Sequence, residues 1–362
     1  MFGGHAEVGA GYSGSLPAYT VDFIVTTMPG LEDIVLEEAR EKIDVLDAKL
    51  RFGNVGGRVL LRVPLSQAGR VFMLRSIEHI IELINVFEVE SDRSGLDQIY
   101  SRVYGLNIPL GSTFRVTCER IGSHKFTSID VQRVAGQALV DKYGRRVNLK
   151  NPETIVRVDV VHNLCIVGIQ KTKMSLKIRY PRAFQHYSAL NPVIAYSMLR
   201  IAGVRPGDAV LDPFCGGGTI IIEAAQVWSD LELIGVDISP KSIEGALKNA
   251  EVAGVRDKVK FIVGDARRLE KILPRSWKAD KVVSNLPFGI RSGRLKAVPS
   301  IYMDFLRSLK PFLKESSRIC LLTIHKGLLE KIAVETGYEV ISSREILHGG
   351  LRDWIILLSP KF

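Results

Sequence analysis

Cysteine is scarce in this chain, and its few cysteines lie far apart. The 362 residues include four cysteines, and no C-x-x-C occurs. Structural zinc sites and disulfide frameworks need closely spaced or paired cysteines, so neither is expected. A reducing compartment, the cytoplasm, is the expected location.

Long apolar runs and targeting signals are also lacking. No segment offers the roughly 20 consecutive apolar residues that a membrane-spanning helix needs. The N-terminus lacks the basic, apolar and small-residue order of a signal peptide. We therefore expect no association with a membrane.

Two common phosphate-binding arrangements are missing from the second half of the chain. No G-x-x-x-x-G-K-[ST] occurs, which excludes a P-loop. The glycine cluster at 216–218 does not continue into G-x-G-x-x-G, because Ile221 stands where the last glycine would be. A pyrophosphate dinucleotide is therefore disfavoured as the ligand of this cluster.

Positive charge is present in excess and is concentrated in one quarter of the chain. The formal net charge is +10. Residues 101–190 hold 15 Lys and Arg against 5 Asp and Glu, whereas the remaining residues hold 34 of each. Such a block is typical of a surface that binds a polyanion, most simply a nucleic acid. A solvated basic face without a partner is the alternative.

The first 175 residues show α+β patterns in two parts, 1–66 and 67–175. In the first part, two strand-like segments flank a helical pattern. In the second part, an apolar stretch at 74–84 predicts a long helix. A strand–helix–strand–strand unit is then predicted between residues 114 and 170.

After about residue 185, short apolar runs alternate with helical patterns, which predicts an α/β fold with a parallel, doubly wound sheet. A late extra strand is predicted at Trp354–Leu358. The other predicted strands are Ala209–Leu211, Leu231–Val236, Val259–Val263, Lys281–Ser284 and Arg318–Thr323.

A glycine-rich turn follows the first of these strands. Asp212 closes the strand, glycines 216–218 allow a tight turn close to a ligand, and Thr219 opens a helix. The free N–H groups at that helix start are expected to face the ligand. An ordinary glycine-rich turn is the alternative.

The next two strands also end in carboxylates. Asp237 lies 21 residues after Gly216, where a carboxylate can accept hydrogen bonds from both hydroxyls of a ribose. Asp265 is placed to accept the amine of an adenine, with the Ala266 N–H on the ring nitrogen. Each residue alone could be a turn residue or a helix cap. Their order on three strands that end at one edge favours an adenosine site.

The combination resembles a class I S-adenosylmethionine-dependent methyltransferase over residues 185–358. The stretch "NLPF" at 285–288 is similar to the (D/N/S)-P-P-(F/Y) signature of enzymes that methylate exocyclic or amide nitrogens, with Leu286 in place of the first proline. In "HYSALNPVIAYSML", Asn191-Pro192 resembles the segment that crosses over the methionine end of the cofactor. The resemblance implies S-adenosylmethionine as cofactor, bound by Asn191, Pro192, Asp212, Cys215, Gly216, Gly217, Gly218, Thr219, Asp237, Ile238, Asp265, Ala266 and Asn285.

The "NLPF" stretch suits catalysis on an aromatic amine, whose lone pair is delocalised into the ring. Such an amine needs its N–H groups held by acceptors so that the lone pair faces the methyl group. Asn285 and the Leu286 carbonyl are the expected acceptors, Pro287 removes a competing donor, and Phe288 can stack on the base. A turn with a buried phenylalanine is the alternative.

The basic block resembles a THUMP domain, an RNA-binding module of tRNA-modifying enzymes, and the preceding residues resemble its ferredoxin-like companion. The expected domains are an arm with a ferredoxin-like domain at 1–66, a THUMP-like domain at 67–175 and a Rossmann-like methyltransferase domain at 176–362. The whole chain resembles the THUMP-containing tRNA (guanine-N2-)methyltransferases, closest to the group acting on the sixth nucleotide, in the acceptor stem. This implies tRNA as the partner, and we expect a monomer. The excess cations of the basic block lie at predicted edges and turns and are the expected RNA contacts, namely Arg145, Arg146, Lys150, Lys171, Lys173 and Lys177. Arg291 and Arg294, beside the "NLPF" stretch, could bind flanking phosphates, and a solvated loop is the alternative.

Other functions remain open at this point. Methylation of guanine N2 at another tRNA position or in rRNA fits the same motifs, and so does a non-catalytic RNA-binding protein on a methyltransferase scaffold. The chain lacks the S-G-G-x-D-S loop that an RNA sulfur-insertion enzyme needs. It also lacks the H-x-E and P-C-x-x-C motifs of a zinc deaminase. A protein-glutamine methyltransferase would leave the basic block unexplained.

Overall fold

A computed structural model of the chain describes residues 19–185, 189–289 and 295–362. The chain divides into two compact units, the first being Met1–Thr27 with Val35–Ser175 and the second Met28–Ile34 with Leu176–Phe362. The helices of the described residues are α1 (Glu32–Lys42), α2 (Ser94–Gly105), α3 (Ser128–Tyr143), α4 (Pro192–Ala202), α5 (Thr219–Val227), α6 (Pro240–Val252), α7 (Val298–Leu309) and α8 (Lys326–Glu335).

The first unit is built on a nine-stranded sheet. Its order is β2-β3-β1-β4-β9-β8-β5-β7, and β6 pairs with β8 off this path. The strands are β1 (Thr20–Thr26), β2 (Asp47–Leu50), β3 (Arg58–Pro64), β4 (His79–Glu88), β5 (Thr113–Thr117), β6 (Arg120–Ile121), β7 (Arg146–Val147), β8 (Thr154–Val161) and β9 (Leu164–Gln170).

The predicted helix at 74–84 is wrong, because this stretch leads into strand β4. A short 3₁₀ segment at Leu65–Met73 precedes it. β4 pairs with β1 on one side and β9 on the other. The apolar run at its start therefore belongs to a central strand, and periodicity alone does not separate such a strand from a buried helix.

The predicted strand–helix–strand–strand unit is confirmed. Its helix, α3, begins with a capping box in which Thr127 and Asp130 each accept from the other's backbone N–H. It ends at Gly144, whose φ of +62° is the left-handed conformation that glycine adopts readily. The hairpin of β8 and β9 follows in antiparallel register.

The second unit contains a seven-stranded sheet in the order β12-β11-β10-β13-β14-β16-β15. The first five of these strands are parallel, and β16 and β15 add in antiparallel fashion. The strands are β10 (Ala209–Asp212), β11 (Glu232–Asp237), β12 (Val259–Val263), β13 (Ala279–Asn285), β14 (Leu313–Thr323), β15 (Tyr338–His348) and β16 (Leu351–Pro360).

All six strands predicted for this unit are confirmed, whereas β15 escaped prediction. β15 is an edge strand in which most side chains are at least partly exposed, so its sequence lacks a strong apolar pattern. Two apolar cores cover the two faces of the sheet. One is built mainly with α4 and α5, and the other with α7 and α8. This is the doubly wound arrangement that brings the carboxyl ends of the parallel strands to one open edge.

Among the described residues, no helix is both long enough and apolar enough to cross a membrane.

Candidate active site

Four neighbouring parallel strands, β12, β11, β10 and β13, end at the same edge of the second sheet. Each strand delivers one of the predicted polar residues there, since Asp212, Asp237 and Asn285 close β10, β11 and β13. Asp265 follows β12 by two residues. The tertiary structure therefore brings the four predicted strand-end residues to one crevice.

The glycine loop after β10 is tightly packed. Gly218 has a φ of +82°, and a Cβ at this position would lie 2.8 Å from the ring of Phe261. A larger residue would therefore be strained and would clash with β12. Gly218 immediately precedes α5, which has no side-chain cap. The backbone N–H groups in the first turn of α5 are thus left for a ligand at this edge.

Asp237 holds this loop in place. One carboxylate oxygen accepts from the Gly216 N–H at 2.9 Å, and the other accepts from the Ser239 N–H at 2.9 Å. Each oxygen retains a second lone pair, and the side chain is only half-buried. Beside it, the apolar side chain of Ile238 is 64% exposed.

Asp212 lies beneath the loop and is almost fully buried. It accepts from the Ser284 hydroxyl at 2.6 Å and from the Phe214 N–H at 3.2 Å. Burial raises the pKa of this carboxyl from 3.8 to about 7, against the opposing effect of these hydrogen bonds, and the charge on Asp237 raises it further. Asp212 thus supports the loop from below. Cys215 is buried in the same loop, and burial raises the pKa of its thiol well above the ordinary value.

Asp265 caps the 3₁₀ segment at Ala266–Lys271 and forms a bidentate ion pair with an arginine. Its carboxylate accepts from the Arg267 N–H at 3.0 Å and forms a fork with the guanidinium, at 2.9 and 2.6 Å. The hydrogen bond from the Arg267 side chain is the main cause of the lowered pKa of Asp265. An adenine amine at this position would therefore share the carboxylate with Arg267.

Asn285 differs from the three carboxylates because its acceptor is unused. Its Oδ1 is buried and has no hydrogen-bond partner. The next residue continues the sheet, since the Leu286 N–H donates to the Leu322 carbonyl at 3.0 Å. A proline at 286 would have no such N–H. Here the backbone is held by a hydrogen bond to β14, where the signature sequence would hold it with the proline ring.

The rest of the loop is braced by side chains that sequence reasoning missed. The Tyr302 hydroxyl donates to the Pro287 carbonyl at 3.2 Å and lies 3.0 Å from the Thr323 hydroxyl. His325 Nε2 lies 2.9 Å from the Phe288 carbonyl oxygen, and because a carbonyl only accepts, Nε2 carries the proton. Burial raises the pKa of Tyr302 to about 12, so its hydroxyl stays a donor. These braces come from distant parts of the sequence and had no local signal.

Comparison with known proteins agrees with this geometry. Residues 179–353 match the RMKL-like methyltransferase domain family, and residues 96–170 match the THUMP domain family. A tRNA (guanine(6)-N2)-methyltransferase of Archaeoglobus fulgidus is 31% identical over 94% of this chain and 92% of its own length. A protein of that description from Thermus thermophilus is 34% identical over 92% and 98%. The crystal structure of TrmN from Thermus thermophilus has a TM-score of 0.81 at 32% identity, covering 94% of this chain and 99% of that one.

The chain belongs to the THUMP-domain tRNA (guanine-N2-)methyltransferases. It is an enzyme whose cofactor is S-adenosylmethionine, as its family and its Rossmann-like domain show. The predicted fold class and the predicted family are confirmed.

In the methyltransferase, the segment before α4 is fastened to the glycine loop by Asn249, another residue that sequence reasoning missed. The side chain is buried on α6 and donates to the Gly217 carbonyl at 3.0 Å and to the Phe184 carbonyl at 2.9 Å. Phe184 packs so closely on α6 that a Cβ on Gly245 would lie 2.1 Å from its ring. A signal existed, since Asn249 is a polar residue on the apolar face of α6.

The predicted methionine-end segment is partly described. Asn191 caps α4 by accepting from the Val193 N–H at 3.0 Å, and Pro192 is the first residue of the helix. The residues 186–188 of the quoted stretch lie outside the described residues. The nearby Arg182 donates to the Leu190 carbonyl at 3.1 Å and lies 3.5 Å from the Thr219 hydroxyl.

The predicted RNA contacts of the first unit lie on its surface. Arg145 and Lys173 both lower the pKa of Glu153, after the larger effect of its hydrogen bonds from Ser112, so these two cations lie on one side of the unit. Lys171 forms an ion pair with Glu82 at 2.8 Å. The predicted contacts Arg291 and Arg294 lie outside the described residues. Lys177 is exposed but belongs to the second unit, and the exposed ones of the first unit are Arg145, Arg146, Lys150, Lys171 and Lys173.

Among the described residues, no group of three or more His, Cys, Asp or Glu could hold a metal ion.

Proposed function

We propose that the enzyme transfers a methyl group from S-adenosylmethionine to the exocyclic N2 of a guanosine in tRNA, at position 6 of the acceptor stem. The names of the Archaeoglobus and Thermus relatives support the substrate and the position. Methyl transfer to an amine is supported by Asn285 Oδ1, which is buried without a hydrogen-bond partner and can accept from an amine N–H.

The residues at the crevice fit S-adenosylmethionine, which supplies an activated methyl group on a sulfonium. Asp237 has lone pairs left for the ribose hydroxyls, and the exposed Ile238 offers an apolar surface to the adenine. Asp265 and the Ala266 N–H suit the adenine edge. The open start of α5 after the glycine loop, with Asn191 and Pro192 at the start of α4, borders the methionine end.

On the other side of the crevice, the chain's own groups hold the base. Asn285 Oδ1 and the Leu286 carbonyl each accept one N–H of the guanine amine, which localises the nitrogen lone pair. Pro287 offers no competing N–H, and the half-buried Phe288 stacks on the base. Because Asn285 cannot take up a proton, the amine would lose its proton only after it has accepted the methyl group, when the cationic nitrogen can release it to water.

The first unit supplies most of the affinity for RNA in this proposal. Its exposed lysines and arginines neutralise phosphates, with Arg291 and Arg294 of the second unit close to the catalytic loop in sequence. The target base must leave its helix to reach Asn285, as other enzymes acting on bases require. The division into an arm with a ferredoxin-like domain (1–66), a THUMP domain (67–175) and a methyltransferase domain (176–362) belongs to the same proposal. So do a monomeric state and action in the cytoplasm.

Nucleoside mass spectrometry tests this function directly. Unmodified tRNA is incubated with the protein and methyl-labelled S-adenosylmethionine, and then digested completely. We expect labelled N2-methylguanosine, and partial digestion should map it to position 6. If the label is found at another guanosine, the proposed reaction stands and the proposed position 6 is wrong. No heat of binding with S-adenosylmethionine and no label would favour the non-catalytic RNA-binding alternative.

A salt titration tests the role of the first unit. The triple variant Arg145→Ala, Arg146→Ala, Lys150→Ala should bind tRNA more weakly, with a salt slope reduced by roughly one per lost phosphate contact. The control variant Lys258→Ala, Lys260→Ala removes two exposed cations at the amino end of β12. Equal slopes in the triple variant and the wild type would remove this surface from the RNA interface.

A further inference from the structure

Asp353, near the start of β16, is a buried carboxylate with an unused oxygen. It is 2% exposed, and its Oδ1 has no hydrogen-bond partner. Its Oδ2 lies 3.5 Å from Nδ1 of His348, which is partly exposed. A buried carboxylate with so few donors is costly, so its presence calls for an explanation.

Only two side-chain acceptor oxygens in the described part of the second unit are buried without a partner. They are Asn285 Oδ1 and Asp353 Oδ1. The first already belongs to the proposed base site.

Strand register places both residues on one face of the sheet. Asn285 on β13 is in register with Leu322 on β14, and Leu322 is in register with Ile355 on β16. Asp353 precedes Ile355 by two residues and therefore points to the same face. Because β16 runs antiparallel to β14, this step leads towards the edge where β13 and β14 end.

The separation between the two residues suits a base. Two strand spacings and one two-residue step put the Cα atoms of Asn285 and Asp353 about 12 Å apart in a flat sheet. Two side chains, two hydrogen bonds and the edge of a purine together span such a gap. Both oxygens are shielded from water in the structure, so the base reaches them only when the covering groups move.

Guanine and adenine differ in what they present to such a pair of acceptors. The Watson–Crick edge of guanine carries the N1–H donor beside the N2 amine, whereas adenine carries a bare acceptor at N1. A carboxylate only accepts, so it pairs with the N1–H of guanine and repels the N1 lone pair of adenine. Enzymes that extrude a base read this edge by hydrogen bonds.

We propose that Asp353 determines the specificity for guanine by accepting the N1–H of the base whose N2 amine is held by Asn285. The inference rests on the proposed function. His348 lies 3.5 Å from the other carboxylate oxygen and leaves Oδ1 without a donor. In the free enzyme the carboxylate lacks a full set of donors, and the target base provides the missing one.

The test uses two substrates that differ at N1. One is the tRNA carrying guanosine at the position that the wild type methylates, and the other carries 2-aminopurine there. 2-Aminopurine keeps the amine at C2 but has an acceptor at N1. Single-turnover rates with saturating tRNA and S-adenosylmethionine give a guanine-to-2-aminopurine ratio, which we expect to exceed about a hundred in the wild type.

Asp353→Asn should lower the rate on guanosine at least tenfold and reduce the ratio at least tenfold, because its amide can donate to N1 of 2-aminopurine. Asn285→Ala should slow both substrates and leave the ratio unchanged. His348→Gln, which removes the neighbour but keeps the carboxylate, should also keep a high ratio. The affinity for S-adenosylmethionine should be unchanged in Asp353→Asn.

Two results would overturn the assignment. One is a wild type that methylates 2-aminopurine as fast as guanosine, a result that does not depend on any variant folding. The other is a folded Asp353→Asn protein with the wild-type ratio, which would leave Asp353 a structural partner of His348. If the wild type forms no N2-methylguanosine at all, the proposed function fails first, and that outcome is distinct from both.

Discussion

The two sides of the crevice handle their acceptors in opposite ways. On the cofactor side, Asp212, Asp237 and Asp265 already accept hydrogen bonds from the backbone or from neighbouring side chains. On the base side, Asn285 Oδ1 and Asp353 Oδ1 are buried without partners. The carboxylates proposed to bind the cofactor are therefore already held by the protein, whereas the two oxygens proposed to bind the base have no donor in the free protein.

This difference separates binding from catalysis. A site whose carboxylates are held by the protein is preorganised, and a ligand joins it with little rearrangement. Acceptors left without donors make the free protein less stable, and the correct substrate recovers that free energy. We expect variants on the cofactor side to change affinity for the cofactor, and variants on the base side to change the rate.

We expect the largest effect from Asp212, whose burial should make the stability of the protein depend on pH despite its hydrogen bonds. Its folded pKa of about 7 lies above the ordinary 3.8, so the folded state holds a proton that the unfolded state loses. Stability should fall as pH rises from about 4 to 7 and then level off, and the full difference corresponds to about 4 kcal/mol. Asp212→Asn should remove this component. Chemical denaturation at several pH values measures it. The same dependence of stability on pH in both proteins would contradict the raised pKa of Asp212.

Asn285→Ala should lower the single-turnover methylation rate about a hundredfold, as loss of a group that stabilises developing charge does. Affinity for S-adenosylmethionine should stay nearly constant, and the loss of Oδ1 should not lower the melting temperature, because this atom has no hydrogen-bond partner in the free protein. Asn285→Asp, which keeps an acceptor oxygen, is the matched control and should retain most of the rate. A wild-type rate in the alanine variant would place the active site elsewhere.

Asp237→Ala should weaken S-adenosylmethionine binding at least about tenfold, because hydrogen bonds to a charged group contribute about 1.5–3 kcal/mol each. Calorimetry measures the affinity. Glu244→Ala is the control, since this exposed carboxylate on α6 pairs only with Lys248 among the described residues. Unchanged affinity in a folded Asp237→Ala protein would remove this residue from the cofactor site.

We expect the smallest effect on the methylation rate from the side chains that hydrogen-bond to the loop at 286–288. Tyr302→Phe removes the donor to the Pro287 carbonyl and should slow methyl transfer about fivefold, for roughly 1 kcal/mol of lost positioning. Tyr338→Phe is a close control, because this buried hydroxyl donates to the Leu306 carbonyl on the same helix, α7. Both variants should lose similar stability, and only the first should lose rate. Equal rates in the two would show that the loop needs no brace from Tyr302.

One obvious experiment is ruled out by the structure. Deleting the first 180 residues is the simplest way to remove the THUMP domain from the methyltransferase domain. However, Met28–Ile34 belongs to the second unit, and Leu31 is fully buried in its core. Removing this segment would expose that core, so point variants are the better test.

Much of the second unit could be predicted because its signals are local. An apolar run that ends in a carboxylate or an amide is visible in a few residues, and the parallel-sheet rule then places these ends at one edge. Thus Asp212, Asp237, Asp265 and Asn285 were found without coordinates. The helix predicted at 74–84 failed for the converse reason, because a central strand and a buried helix are both continuously apolar over a short span.

The residues that sequence reasoning missed act across long separations in the chain. Asn249 reaches Phe184 over 65 residues, and His325 reaches Phe288 over 37. Asp353 lies towards the same end of the sheet as Asn285 only because β16 pairs with β14 in antiparallel fashion. No local pattern encodes such a neighbour, since it depends on which strands pair.

The sequence by itself determined the type of chemistry, because the strand-end residues, the glycine turn and the basic block are properties of short segments. The tertiary structure alone decided which of those polar groups are satisfied. A carboxylate in a sequence is only a potential acceptor. Burial and the donors around it decide whether the protein already holds both of its oxygens, as it does for Asp237, or leaves one without a donor, as it does for Asp353. Those donors come from distant segments, so only the folded chain shows them.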